Sequence, residues 1–369
     1  MVDKLEDHVS EFDQGMVINK ILESQFVEEI ISFSENYIQL QTQNRNFNSS
    51  QMPFKDTYFS TAFQSAFASY LNRSVKDHTM AEILGRSTEK IMRKGIQAYS
   101  EVQIKDYIEN ITNLFTYMED KDLFIDVYRW GLARRLLDNK IGSFEYEREF
   151  IGRIKMSCGP QYTRKIEGML SDSNAEIDFI NEFQKSNECG DIFIDFDLKV
   201  LTDGYWPSFK SPPIILPKEM SQWVDVFNKY YTNKNKMKHL SWSYMHGTCH
   251  VKSIFNAKEY NLILTTYQTS IIVLFNEAEE LSFTQIWETL KTEEGLLKNM
   301  LKSLSCRRYK ILVKTGDQKV VLGDDVFKVN ENFKNKLKVI TIPAPMIKET
   351  FNKEKVDIDR THAIGNKKI

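Results

Sequence analysis

Three potential metal ligands, His246, Cys249 and His250, stand within five positions of one another in this 369-residue chain. A structural zinc site needs four ligands, usually as two close pairs, and no second pair lies nearby. On a strand, alternation also sends Cys249 and His250 to opposite faces. No metal and no cofactor are expected. Cys158, before a helix break, and Cys306, after Leu304-Ser305, are the candidate thiol nucleophiles. Neither has a histidine and a carboxylate in its own local motif, and free cysteine is most often a small buried apolar residue. A phosphate-binding G-x-x-x-x-G-K-[ST] loop, a G-x-S-x-G elbow and an H-E-x-x-H helix are all absent. No catalytic residue is assigned, and the chain is not expected to be an enzyme.

Charge is the other chemistry on offer. Residues 1–60 carry ten acids against four bases. Residues 226–258 hold no acid and six lysines: Lys229, Lys234, Lys236, Lys238, Lys252 and Lys258. Residues 295–316 also lack acids and carry Lys298, Lys302, Arg307, Arg308, Lys310 and Lys314. Such runs are either solvated faces or a basic surface for an acidic protein partner. The whole chain has 49 Lys and Arg against 51 Asp and Glu, a net −2, which does not indicate a globally basic nucleic-acid binder.

The elements that must position these residues come in two textures. Hydrophobic residues are 41% and aromatics 12%, enough for more than one core in a chain of two or three domains. Up to residue 187 apolar residues recur at three and four, as in Phe26-Val27-x-x-Ile30-Ile31 and Ile104-x-x-x-Ile108-x-x-Ile111-x-x-Leu114-Phe115, the spacing of a helix face. A helix over 121–140 is expected to stop near Gly142; Ser143 opens another, ended by Cys158-Gly159-Pro160; a long one follows to Phe183. No strand alternation appears before residue 190. Then Ile192-x-Ile194-x-Phe196-x-Leu198-x-Val200 alternates with period two, and 240–244, 249–255 and 260–266 are further strand candidates around a helix over 220–231. Residues 276–345 read as helix, helix, wing: Ser282 and Gln285 form a capping box, Thr292 opens a second helix, and 309–314, 318–322, 326–329 and 337–342 extend.

Several strings then carry a family resemblance. Met118-Glu119-Asp120-Lys121-Asp122-Leu123-Phe124, Tyr128 and Leu132-Ala133-Arg134-Arg135-Leu136-Leu137 come first. Cys158-Gly159, Tyr162-Thr163-x-Lys165-x-Glu167-Gly168-Met169 and Asp172 follow, then Val200-Leu201-Thr202-x-Gly204-Tyr205-Trp206-Pro207. Phe275-Asn276 and Leu301-x-Ser303-Leu304-x-Cys306 continue the order. In types and spacing the chain resembles the cullins from about residue 1 to 364. Asn276-Glu277-x-Glu279-Glu280 and Met346-x-Lys348-Glu349-Thr350 place it nearest the class that works with the damage-DNA-binding adaptor.

The resemblance implies a multi-domain α and α+β architecture. Its parts are a remnant of the last helical repeat (1–72), a helical bundle (73–187), an α+β sheet domain (188–275), a winged-helix domain (276–345) and a lead-in to a final winged helix (346–369). It also implies a non-catalytic scaffold of a cullin–RING ubiquitin ligase, in the cytoplasm and nucleus. Such a scaffold holds a zinc-bearing RING-box protein, which recruits a ubiquitin-charged conjugating enzyme. One strand of the RING-box protein would complete the sheet. Phe196, Leu198, Val200, Leu201, Tyr205 and Trp206 are the candidate contacts, although Tyr205-Trp206-Pro207 could equally anchor the loop in the core. Arg93 and Lys94 align with a basic pair that attracts the conjugating enzyme's acidic tail; Gln97 falls where relatives extend that run.

Against the family pattern, the adaptor platform and the lysine that accepts the activating modifier are expected to be missing, and 44–56 looks like a loop insertion. Two other readings stay open: a truncated cullin that binds the RING-box protein without delivering substrate, and a winged-helix nucleic-acid-binding protein. For the last, Lys298 and Lys302 would face DNA, but Glu293 and Glu294 stand at the helix start, where they would repel phosphate. No membrane span is expected, since no run of about 18 apolar residues exists. Scattered cysteines and an acidic start, MVDKLEDHVSEF, argue for a reducing compartment and against a secretory signal.

Overall fold

Three helices of the first half start where a side chain accepts from a free N–H group of the first turn. The computed structural model describes residues 78–185, 197–209, 211–306, 309–315 and 320–344, with isolated positions between 65 and 75. The helix expected around Phe26 to Ile31, the 44–56 insertion, Cys189, residues 192–196 and the lead-in from 346 lie outside the described residues. The rest fall into two compact units, one within Met1–Glu176 and Lys199–Pro207, the other within Ile177–Leu198 and Ser208–Ile369.

In the first unit, Thr79 caps α1 (Met80–Lys94) by accepting from Glu82 N. Ser100 and Gln103 form a capping box for α2 (Glu101–Tyr117), a signal the periodicity alone did not show. α3 covers Lys121–Leu137, and Ser143 caps α4 (Phe144–Cys158) as expected. α5 runs Arg164–Gln184. A two-residue ladder, Ser74–Val75 with His78–Thr79, precedes them, the one strand pairing before residue 190 among the described residues. The core is aromatic: Phe115 meets Phe124 at 5.3 Å and Tyr162 at 5.7 Å, while Phe150 meets Tyr128 at 4.9 Å. Tilted and edge-on pairs of this kind add to the burial term.

Gly142 has a different task from the one its position suggested. α3 ends five residues earlier, and Asn139, at φ 54°, takes the left-handed turn. Gly142 instead lets two backbones meet: a Cβ there would lie 2.6 Å from Met92 O and 3.1 Å from the Cα of Gly95, which ends α1 at φ 48°. Gly142→Ala is therefore expected to lower stability by about 1–3 kcal/mol, because the obstacle is backbone that cannot rotate away. A fall in the urea unfolding midpoint checks this.

In the second unit, the end of α5 packs on α6 (Lys218–Lys234). Phe183 lies 5.2 Å from Phe227 and 4.9 Å from Tyr230. A hairpin, β1 (Thr248–Phe255) and β2 (Lys258–Thr265), turns at Asn256 and Ala257, both with positive φ. β2 runs into α7 (Thr266–Leu274) through a Thr265–Gln268 capping box. β3 (Glu280–Ser282), α8 (Phe283–Leu290), α9 (Glu294–Ser305), β4 (Leu312–Lys314) and β5 (Val326–Val329) follow, and β3-β5-β4 form an antiparallel sheet. The Ser282–Gln285 capping box is present, whereas the N-cap position of α9 is Glu293, not Thr292, and its side chain makes no cap. β6 (Val339–Thr341) leaves that sheet and pairs parallel with β2. Phe255, Leu262, Leu264 and Ile340 share one core with Ile286, Leu301 and Phe327.

One fully described expected strand, 240–244, does not form, and the described parts of two others are unladdered. Residues 240–244 belong to no ladder: Trp242 turns onto α6, 5.8 Å from Phe227, and donates its indole N–H to Asn228 Oδ1 at 2.9 Å. Their alternation buries aromatics on a helix, not on a sheet. Within the 192–200 run, the described part, 197–200, is irregular because no neighbouring strand pairs with it. Of 318–322, the described residues 320–322 are also unladdered.

Candidate functional site

Three of the strings that carried the resemblance meet in the first unit. Asp172, on α5, accepts from Trp206 Nε1 at 2.9 Å, from Thr202 N at 2.7 Å and from the Thr202 hydroxyl at 3.0 Å. Beneath the loop, Gly168 makes room for Tyr205: a Cβ there would stand 2.4 Å from the phenol ring. At the loop's start, Lys199 Nζ donates to Leu136 O at 3.1 Å and Asn139 Oδ1 at 2.6 Å, the end of α3. Lys155 and Thr163 both donate to Glu167, at 3.0 and 2.8 Å, tying α4 to the start of α5. The loop 199–207 is thus strapped at both ends.

This decides part of the candidate list. Trp206 is 8% exposed and Pro207 is buried, so the tryptophan is an internal anchor. Tyr205, Leu198, Val200 and Leu201 are half-buried and keep partly accessible faces. Phe196 lies outside the described residues. In the second unit, β1 pairs with β2 over eight residues, and its opposite edge carries no strand among the described residues. An eight-residue open edge presents a row of unpaired N–H and C=O groups.

Arg93 and Lys94 close the last turn of α1, both exposed, with Arg93 Nε 3.8 Å from Glu89. Their place at a helix C-terminus also offsets the helix dipole. The second basic stretch is dispersed by the fold. Lys298 pairs with Glu294 at 2.6 Å, and Lys314 is buried, its Nζ 2.7 Å from Asp325 Oδ2. Arg307 and Arg308 lie outside the described residues. Among the described residues of this stretch, Lys314 is withdrawn from the surface and Lys298 is paired.

Burial pushes the thiols of Cys158 and Cys249 above the ordinary cysteine range. An activated nucleophile needs the opposite shift. Cys249 is half-buried and His250 exposed, on opposite faces of β1 as alternation required. Among the described residues no three His, Cys, Asp or Glu are grouped to hold a metal ion, and no helix is long and apolar enough to cross a membrane.

One constellation was missed. Arg135, quoted in the sequence only as part of a string, is buried with Glu147, Nη2 to Oε1 at 2.6 Å, and Tyr128 donates its hydroxyl to the same carboxylate. Glu89 lies 3.5 Å from Arg135 Nη1, over Gly131, where a Cβ would collide with it. The network joins α1, α3 and α4. Only the pairing of a helical Arg with a Glu 12 positions on, across a loop, could have signalled it, and that spacing has no local meaning.

Comparison with known proteins agrees with this layout. The family model described as the cullin alpha solenoid domain matches residues 1–179, and the one described as the cullin alpha+beta domain matches residues 200–333. The chain is 38% identical to cullin-1 of Oryza sativa subsp. japonica over 313 residues, covering 84% of this chain and 42% of that protein. It is 36% identical to cullin-2 of Arabidopsis thaliana, over 84% and 43%, and 26% identical to cullin-4A of Mus musculus, over 97% and 47%. The chain spans less than half the length of these relatives. Two cullin models in tandem, together covering most of the chain, and the tie of one diagnostic string to Asp172 of another lead to one assignment: this chain belongs to the cullin family.

Proposed function

We propose that this chain works as the RING-binding scaffold of a cullin–RING ubiquitin ligase, without bond chemistry of its own. The observation that carries the reading is the open edge of β1. A RING-box protein would add an extended strand there, main-chain hydrogen bonds supplying affinity and alternate side chains register. Phe196, Leu198, Val200, Leu201 and Tyr205 are proposed as a separate set of side-chain contacts to the RING-box protein, with Trp206 holding the loop from within. The scaffold contributes effective concentration: a charged conjugating enzyme held near its acceptor reacts as if intramolecularly. Arg93 and Lys94 would steer the enzyme's acidic tail, a long-range effect on encounter rate. The β3-β5-β4 sheet with α7 to α9 is read as a winged helix used for protein packing, and the place of action as cytoplasm and nucleus.

The test is co-expression with a RING-box protein, size-exclusion chromatography, and discharge of ubiquitin from a charged conjugating enzyme. A one-to-one complex that accelerates discharge is expected. Substituting Arg93→Glu and Lys94→Glu together should slow discharge at low salt and leave it unchanged at high salt. Absence of a complex, with helical circular dichroism intact, would overturn the reading.

A further inference from the structure

Of the acid-free run at 226–258 only the backbone edge of β1 enters that reading; its lysines do not, and the fold sorts them. Lys258 donates to Asn335 O at 2.8 Å and lies over the Tyr260 ring. Lys234 is paired with Glu182 and sits over Phe179 and Tyr230. Lys252 stands on the outward side of β1. Lys229, Lys236 and Lys238 are exposed and pair with no carboxylate among the described residues.

These three lie on adjoining stretches of chain, the end of α6 and the loop that follows it. α6 ends at Lys234, and the chain turns there, Lys238 N donating to Asn235 O at 3.1 Å. By Trp242 it has come back to Asn228 and Phe227. The loop with Lys236 and Lys238 therefore doubles back along the last two turns of the helix that carries Lys229. On that helix lies an open groove of about 580 Å³ lined by Val226, Asn228, Lys229, Thr232 and Asn233. Met237, between the two loop lysines, is 96% exposed.

The cationic surface is short. Asp225 stands exposed one turn before Lys229, and Glu182 stands beside Lys234. From Asp225 to Lys234 the helix rises only about 14 Å. A nucleic-acid strand carries charge without interruption and would lay phosphates against these carboxylates. A peptide with a few carboxylates and an apolar side chain avoids them. We propose that this surface docks a short acidic segment of a partner protein, its carboxylates on Lys229, Lys236 and Lys238 and an apolar side chain against Met237 and Val226. The proposal does not depend on RING-box binding.

The probe is a fluorescein-labelled peptide of alternating Glu and Asp with two leucines, titrated with the full chain and read by anisotropy. Binding is expected, weakening as salt rises from about 0.05 to about 0.2 M. The triple variant Lys229→Glu, Lys236→Glu, Lys238→Glu should bind at least about tenfold more weakly with an unchanged melting curve, while Lys165→Glu, an exposed lysine of the other unit, should bind as the parent does. The proposal falls if the parent ignores the peptide or if the triple variant binds equally well. It also falls if a labelled thymidine oligonucleotide is bound through the three lysines in place of the peptide.

Discussion

Arg135→Ala is expected to lower folding stability by about 3–5 kcal/mol, the cost of stranding a buried carboxylate. The side chains of Arg135 and Glu147 are each 1% exposed and 2.6 Å apart. Burial by itself would lower the guanidinium's pKa; the charge of Glu147, with Tyr128 and Glu89 adding, turns the net shift upward, so it stays charged. Burial, and then the charge of Glu147, holds the Tyr128 phenol well above its usual range, so it remains a donor to that carboxylate. Alanine at 135 removes the cation and leaves Glu147 with one phenolic donor, away from water. The triple change Arg135→Met, Glu147→Leu, Tyr128→Phe should recover most of the loss, because similar apolar volume replaces the buried ions and the partner left behind, Glu89, is part-exposed to water. Urea unfolding of the two variants measures both. A single-variant loss below about 1 kcal/mol would mean water reaches Glu147 and the network is not sealed.

Asp172→Ala should cost about 2–3 kcal/mol and free the 199–207 loop, since one carboxylate accepts all three hydrogen bonds that hold Thr202 and Trp206. Hydrogen exchange separates this from a merely local loss of helix. Amides of 202–206 should exchange faster while those of α2 and α3 stay protected. Asp172→Asn keeps an acceptor oxygen and should fall between. If exchange in the loop is unchanged, Gly168 and Tyr205 hold the loop by packing alone. On the ligase reading, the alanine variant also weakens capture of the RING-box protein, because the half-buried Tyr205 and Leu201 move with the loop.

Local rules carried the helices far. Ser143 and Ser282 capped the helices they preceded, and periodicity located α2 to α5 to within a few residues, because a helix is built from contacts three and four positions apart. The strings led to the family, and the Tyr205-Trp206-Pro207 ambiguity was visible in them. What they could not show was that Asp172, in one string, is the post to which Thr202 and Trp206 of another are tied, 30 and 34 residues on.

By itself, then, the sequence determined helix starts, the two textures of the chain, the family and the location of its acid-free runs. Only the tertiary structure decided which of those charges face water. Arg135 and Lys314 look like their exposed neighbours in sequence and are buried beside Glu147 and Asp325, while Lys229, Lys236 and Lys238 stand open. It also decided which alternating runs become strands. Residues 249–255 find β2 and pair; 240–244 find the aromatic face of α6 and do not. The reason is the same in both cases. A helix is satisfied within its own segment, but a strand's hydrogen bonds and a buried ion's countercharge come from residues distant in the chain.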